Sequence, residues 1–195
     1  MIKKLTLDST CRNSVYTLRD KISAEIYPVV KSGRTIVILC IGTDRSTGDS
    51  LGPIVGDKLK FLMRNRVELY GNLQYPVHAK NLKNIITEIN SKYNKPFIIA
   101  IDACLGTIQD VGKIIIETKP LTPGSAMKKS LPQVGDLSIT GIVNICGAME
   151  FMVLQNTRLF TVMQLADTIS RGLYHSILKT IGGKKNTSFF QNIEA

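Results

Sequence analysis

The chain has 195 residues, 44% hydrophobic and 21% charged, with 15 glycines and 7 prolines, a composition that fits one globular domain with a full core and excludes a low-complexity or disordered chain. Its apolar runs end after five or six residues, too short to cross a membrane, and the N-terminal Met1-Ile-Lys-Lys-Leu-Thr-Leu-Asp8 lacks the apolar centre of a signal peptide, so a cytoplasmic location is expected. The net charge of +10 raises the question of nucleic acid, but the basic residues are spread out, with pairs such as Lys128-Lys129 and Lys184-Lys185, and no DNA- or RNA-binding motif accompanies them; a solvated basic surface is the preferred reading and an acidic partner the alternative.

Residues 1–10 read as a tail. Residues 11–30 read as a helix, with Val15, Leu18, Ile22 and Ile26 about four apart and an end near Pro28. The apolar run Ile36–Ile41 follows, rich in β-branched types, and predicts a strand buried on both faces as in a parallel sheet. Gly42 ends it. A polar loop, Thr43 to Gly48, leads to Asp49 or Ser50 as a helix cap, with Pro53 in the first turn and a stripe of Ile54, Val55, Leu59 and Leu62. Val67–Tyr70 and Tyr75–His78 are weaker strand signals, and Asn81 is placed to cap a helix carrying Leu82, Ile85, Ile86 and Ile89.

Phe97–Ile101 is the second buried strand and runs straight into Asp102. Lys113–Glu117 predicts a third strand. The stretch from Pro120 to Gly135 holds Pro120, Pro123 and Pro132 and reads as a long loop, of the kind that is often functional. Asp136–Val143 returns as a strand, Asn144 is positioned to cap a helix over 145–155, and Thr157–Phe160 suggests a short edge strand. A last helix over 161–179 would bury Val162, Leu165, Ile169, Leu173 and Ile177, with a tail from Gly182 onwards. Alternating strands and helices predict an α/β fold, a largely parallel sheet with helices on both sides, in a single domain over 1–195 with fraying ends at 1–10 and 182–195.

Several chemistries are disfavoured. Five residues separate Gly42 from Gly48 and Asp49 stands where a P-loop has its lysine, so a triphosphate would be repelled; GxGxxG is absent too. No GxSxG elbow exists, and the histidines are His78 and His175. Cys104 with His78 as base is conceivable, but Cys40, Cys104 and Cys146 have apolar neighbours and read as inert core thiols; with Cys11 they form no CxxC pair for structural zinc. The carboxylates remain. Asp49 follows one central strand and Asp102 ends another, so adjacent strands would bring both to the carboxyl edge of one sheet. Two close acids do not both ionise cheaply, so one serves as general acid and the other as base, or the two clamp a metal. The plainer alternative is that Asp49 only caps a helix and Asp102 only satisfies backbone N–H groups.

These same segments resemble the YyaC-type sporulation proteins: Gly42-Thr-Asp-Arg-Ser-Thr-Gly-Asp-Ser-Leu-Gly-Pro53, Ile101-Asp-Ala-Cys-Leu-Gly106, Pro120-Leu-Thr-Pro-Gly124, Val134-Gly-Asp136, Gly141-Ile-Val-Asn144 and Leu154-Gln-Asn-Thr-Arg158. The resemblance spans roughly residues 15 to 180. More distantly, Thr47–Pro53, Ile101–Cys104 and Pro123–Ser125 are similar to segments of the germination protease. The resemblance implies a three-layer α/β/α sandwich, phosphorylase/hydrolase-like, shared with the hydrogenase-maturation endopeptidases. It implies an aspartate-dependent peptidase of sporulation, in the forespore or spore interior, with Asp49 and Asp102 catalytic. Thr43, Asp44, Arg45 and Thr47 would position a peptide or protein substrate, and Gly124 and Ser125 would supply backbone donors or a lid. The hydrogenase-maturation enzymes carry a metal-sensing histidine downstream of the second carboxylate; after Asp102 this chain has only His175, so no metal or cofactor is expected. Homo-oligomerisation is left open. The reading from another class is a non-catalytic spore protein that binds a peptide, a protein or a metal-containing partner.

Overall fold

The elements run β1 (Leu5–Asp8), α1 (Ser14–Lys31), β2 (Ile36–Cys40), α2 (Leu51–Leu59), β3 (Val67–Tyr70), α3 (Leu82–Lys92), β4 (Phe97–Gly106), β5 (Lys113–Glu117), β6 (Leu137–Ile145), α4 (Glu150–Gln155) and α5 (Leu159–Ile181). They belong to a computed structural model that describes residues 4–62, 64–123 and 131–182. The six strands form one sheet in the order β1-β5-β6-β4-β2-β3. β3, β2, β4 and β6 are mutually parallel, while β5 runs antiparallel to both β6 and β1. The fold is thus α/β with a mostly parallel sheet between helical layers.

The two faces follow from strand alternation. Ile36, Ile38 and Cys40 of β2, with Ile99 and Ile101 of β4, face the layer of α1, α2 and α5, where Leu18, Ile22, Leu165 and Ile169 are buried. Val37, Leu39 and Ile41, with Ile98 and Ala100, face α3 and its buried Leu82 and Ile89. A strand with apolar residues in both registers needs this double cover, so the Ile36–Ile41 run finds its place at the middle of the sheet.

Several expectations are corrected. Residues 1–10 are not simply a tail, since Leu5–Asp8 pairs with β5 as an edge strand. α1 continues past Pro28 to Lys31. Tyr75–His78 contributes only a bridge from Val77 to Ile41. Asn144 lies in β6 rather than at a cap, and the following helix starts at Glu150, not 145. Thr157–Phe160 forms no strand; α5 begins at Leu159. Cys146 is exposed, its Sγ donating to Glu150 Oε1, whereas Cys40 is a core thiol as expected. The tail expected from Gly182 lies, beyond that residue, outside the described residues.

The segment Val134-Gly-Asp136 has a structural task. Asp136 Oδ2 accepts from Ile98 N–H at 2.8 Å and Asp136 N–H donates to Ile98 O at 2.8 Å, pinning the start of β6 to β4. Gly135, at φ +102°, lies so close to Ala100 that a Cβ would come within 2.9 Å of that side chain.

Candidate active site

The site begins where β2 runs out. Ile41 N–H donates to Ile101 O at 2.8 Å, and the chain then leaves the sheet at Gly42. Gly42 has φ +146°, and a Cβ there would lie 2.1 Å from Asp49 O, so no side chain fits. Thr43 N–H donates to Asp49 O at 3.0 Å and Gly42 N–H to Val77 O at 2.7 Å. The polar loop is therefore closed at its neck, and its return limb delivers Asp49 to the carboxyl edge of the sheet. There Gly48–Ser50 makes a single 3-10 turn leading into α2, stapled by Ser50 N–H and Oγ on Thr47 O.

Asp49 is not a helix cap. No side-chain cap bond forms at this turn or at the start of α2, and among the described residues nothing donates to the Asp49 carboxyl. The side chain is half-buried, and burial without a compensating donor raises its pKa above the ordinary carboxylate range.

Asp102 does not end its strand. β4 continues to Gly106, so Asp102 sits inside it, opposite Thr140 of β6. β2 pairs with β4 only as far as Ile101; from Asp102 on, β4 keeps β6 as its one ladder partner among the described residues, leaving room on the β2 side for the returning loop. By alternation with Ile98 and Ala100, Asp102 faces the α3 side of the sheet. Its Oδ1 accepts from Ala103 N–H at 2.8 Å. Burial pushes the carboxyl up to about 8; the Ala103 N–H opposes the shift and the nearby Asp49 charge adds to it. Asp49, on the turn that follows β2, is thus near enough to Asp102 for its charge to raise the Asp102 carboxyl, with burial the larger cause.

Asp102 opens onto a cavity of ≈ 320 Å³ whose lining includes Cys104, Glu117, Lys119, Ser138 and Thr140. The Glu117 carboxylate pairs with Lys119 Nζ at 3.1 Å. Burial pushes the Cys104 thiol up to about 11, against a hydrogen bond with Thr140, so it remains a neutral thiol near pH 7. His78 gives it no base: Nδ1 is buried without a partner among the described residues, and the adjoining Val77 bridges β2 on the side away from β4. Among the described residues no three His, Cys, Asp or Glu side chains gather as a metal site would require.

The residues assigned to substrate positioning do not converge on this cavity. Asp44 and Arg45 are exposed, and Arg45 N–H donates to Thr43 Oγ1 at 3.3 Å. Asp44 and Thr47 line a separate cavity of ≈ 360 Å³ beside Leu159 and Met163. Gly124 and Ser125 lie outside the described residues. Thr140 and Glu117 were not singled out from sequence, because only the β4–β6–β5 pairing brings them beside Asp102; the available signal was the alternation of polar Ser138 and Thr140 with apolar Leu137 and Ile139 in β6, which marks one face of that strand as polar.

A family model described as a protein of unknown function, DUF1256, matches residues 7–172. The chain belongs to that family. The uncharacterized protein YyaC of Bacillus subtilis (strain 168) is 54% identical over 142 residues, which make up 73% of this chain and 69% of that protein. Among solved structures, the chain is similar to a NiFe hydrogenase maturation protease, HycI, from Thermococcus kodakarensis KOD1, with a TM-score of 0.47 and 20% identity, covering 77% of this chain and 97% of that one. Among the described residues, no helix is long and apolar enough to cross a membrane.

Proposed function

We propose that this member of the DUF1256 family is an aspartate-dependent peptidase that hydrolyses a peptide or protein substrate with Asp49 and Asp102. The observation that carries the reading is the unequal pair: Asp102, beside a cavity, is raised to about 8 while Asp49, coupled to it, has no donor to its carboxyl among the described residues. Near neutral pH such a pair holds one proton on Asp102 and a negative charge on Asp49. Asp49 takes a proton from a water as the water oxygen attacks the scissile carbonyl carbon. Asp102 donates its proton to the carbonyl oxygen, so the tetrahedral intermediate forms neutral; the proton held on Asp49 then passes to the leaving nitrogen as the C–N bond breaks, and one hydroxyl of the intermediate returns its proton to Asp102, which releases the acid and the amine and restores the pair. Cys104 takes no part, being a protonated thiol.

The sequence resemblance carries the setting: sporulation, in the cytoplasm of the forespore or the spore interior, is part of this proposal. Thr43, Asp44, Arg45 and Thr47 are proposed to hold substrate outside the Asp102 cavity, and Gly124 and Ser125 to approach it from the loop that follows Pro123.

The test is cleavage of a complex mixture of bacterial peptides and proteins, read by mass spectrometry of new termini. Wild type, Asp49→Asn, Asp102→Asn and the double variant are compared, with and without EDTA. Each single variant is expected to abolish cleavage, the double to be no worse than either, and EDTA to have no effect. Full activity in either single variant rules the pair out, and a folded wild type that cuts nothing moves the reading to the non-catalytic binding protein.

A further inference from the structure

We infer that Asn144 and Thr157 are positioning residues, a polar clasp that holds the Gly48–Asp49 turn over Asp102. Two of the family-like segments, Gly141–Asn144 and Leu154–Arg158, have no part in the chemistry above, yet the fold brings them together behind that turn. Asn144, near the end of β6, donates through Nδ2 to Val153 O and to Thr157 Oγ1, both at 3.2 Å. Thr157 Oγ1 in turn donates to Val153 O at 2.9 Å, and Asn144 Oδ1 accepts from Ile145 N–H at 2.8 Å. Every hydrogen-bonding atom of the amide is engaged, so its orientation is fixed.

The other side of the clasp is the catalytic turn itself. A Cβ on Gly48 would lie 2.9 Å from Thr157 Oγ1, 2.9 Å from Leu154 O and 2.7 Å from Leu154 Cδ2. Gly48 is therefore seated directly on the residues that Asn144 ties down, and Thr157 and Leu154 are themselves buried, at 6% and 3% exposure. Asp49 is the next residue along. Its place is thus set from β6, the strand that also pairs with Asp102. One strand governs both members of the pair, directly for Asp102 and through a side-chain relay for Asp49. Removing the relay leaves Gly48 without its backstop, and Asp49 relaxes toward water and away from Asp102.

This inference rests on the peptidase reading only for its purpose, and its test does not use cleavage. In protein labelled with carboxyl-13C aspartate, the Asp49 and Asp102 signals are assigned with the Asp→Asn variants and followed through a pH titration. Asn144→Ala and Thr157→Val are each expected to lower both midpoints by about half a pH unit or more, since Asp49 gains water and Asp102 loses a neighbouring charge. Thr157→Ser, which keeps the hydroxyl, is expected to retain the wild-type midpoints. Ile177→Val, a core truncation remote from the site, controls for general loosening. Unchanged midpoints in folded Asn144→Ala and Thr157→Val overturn the inference, as does an equal shift in Ile177→Val. Should Asn144→Ala fail to fold, Thr157→Val against Thr157→Ser decides alone. Shifted midpoints in a protein that cleaves nothing leave the clasp standing and count against the peptidase.

Discussion

Asp102→Asn is expected to stabilise the protein, and to do so only above the ordinary carboxylate pKa. In the fold this carboxyl keeps its proton up to about 8, while the unfolded chain releases it near 3.8. Between those values the native state binds more protons than the unfolded state, so stability falls as pH rises, by ~1.4 kcal/mol per pH unit for one group. Below the lower value the contribution is fully present; it is lost progressively and is gone once the pH passes the upper one. The full window gives a ceiling of ~6 kcal/mol, and because the residue is only half-buried, water reaching it reduces the expected loss to ~2–4 kcal/mol. Asn mimics the protonated acid and its Oδ1 still accepts from Ala103 N–H. The assay is urea unfolding of wild type and Asp102→Asn from about pH 4 to about pH 8, with stability extrapolated at each pH. The variant should match wild type at the acidic end and exceed it by ~2–4 kcal/mol at pH 7. A constant difference across the window, or a variant less stable at pH 7, refutes the account of Asp102 as an acid held neutral by its surroundings.

Gly52→Ala is expected to cost about 3 kcal/mol in a thermal or urea melt, because a Cβ there would lie 2.0 Å from Ile41 O and the neck of the Thr43–Gly48 loop must shift. Gly147→Ala, which meets nothing within 4 Å, should stay within about 0.5 kcal/mol of wild type, and an equal cost at both positions would contradict the packing described. Thiol labelling of the native protein near pH 8 should modify Cys11 and Cys146, which are exposed, well before Cys104 and Cys40; preferential labelling of Cys104 would show a thiolate where burial predicts a thiol.

What the sequence determined by itself was local. Ile36–Ile41 and Phe97–Ile101 have no polar face, and such a strand is stable only between two covering layers, so the buried parallel centre was legible before any coordinate. Gly42 and Pro53 marked the ends of the loop between strand and helix, and Asp49 and Asp102 stood out as acids bordering the most apolar segments. The resemblance strengthened both. The local pattern was silent on how strands pair, and the errors trace to that. Asp102 read as a terminus because a polar residue follows five apolar ones, yet β4 continues, since β6 supplies a ladder for Ala103–Gly106 after β2 has left. Asn144 read as a cap because Asn favours caps; in the fold its amide is consumed by Val153 and Thr157, partners nine and thirteen residues away in sequence. The raised pKa of Asp102, the inert state of Cys104 and the placement of Glu117 and Thr140 all depend on burial and on the strand order β5-β6-β4. Residue type specifies which groups carry a proton, but the proton's affinity is set by desolvation and neighbouring charge, and those exist only once distant segments have packed together.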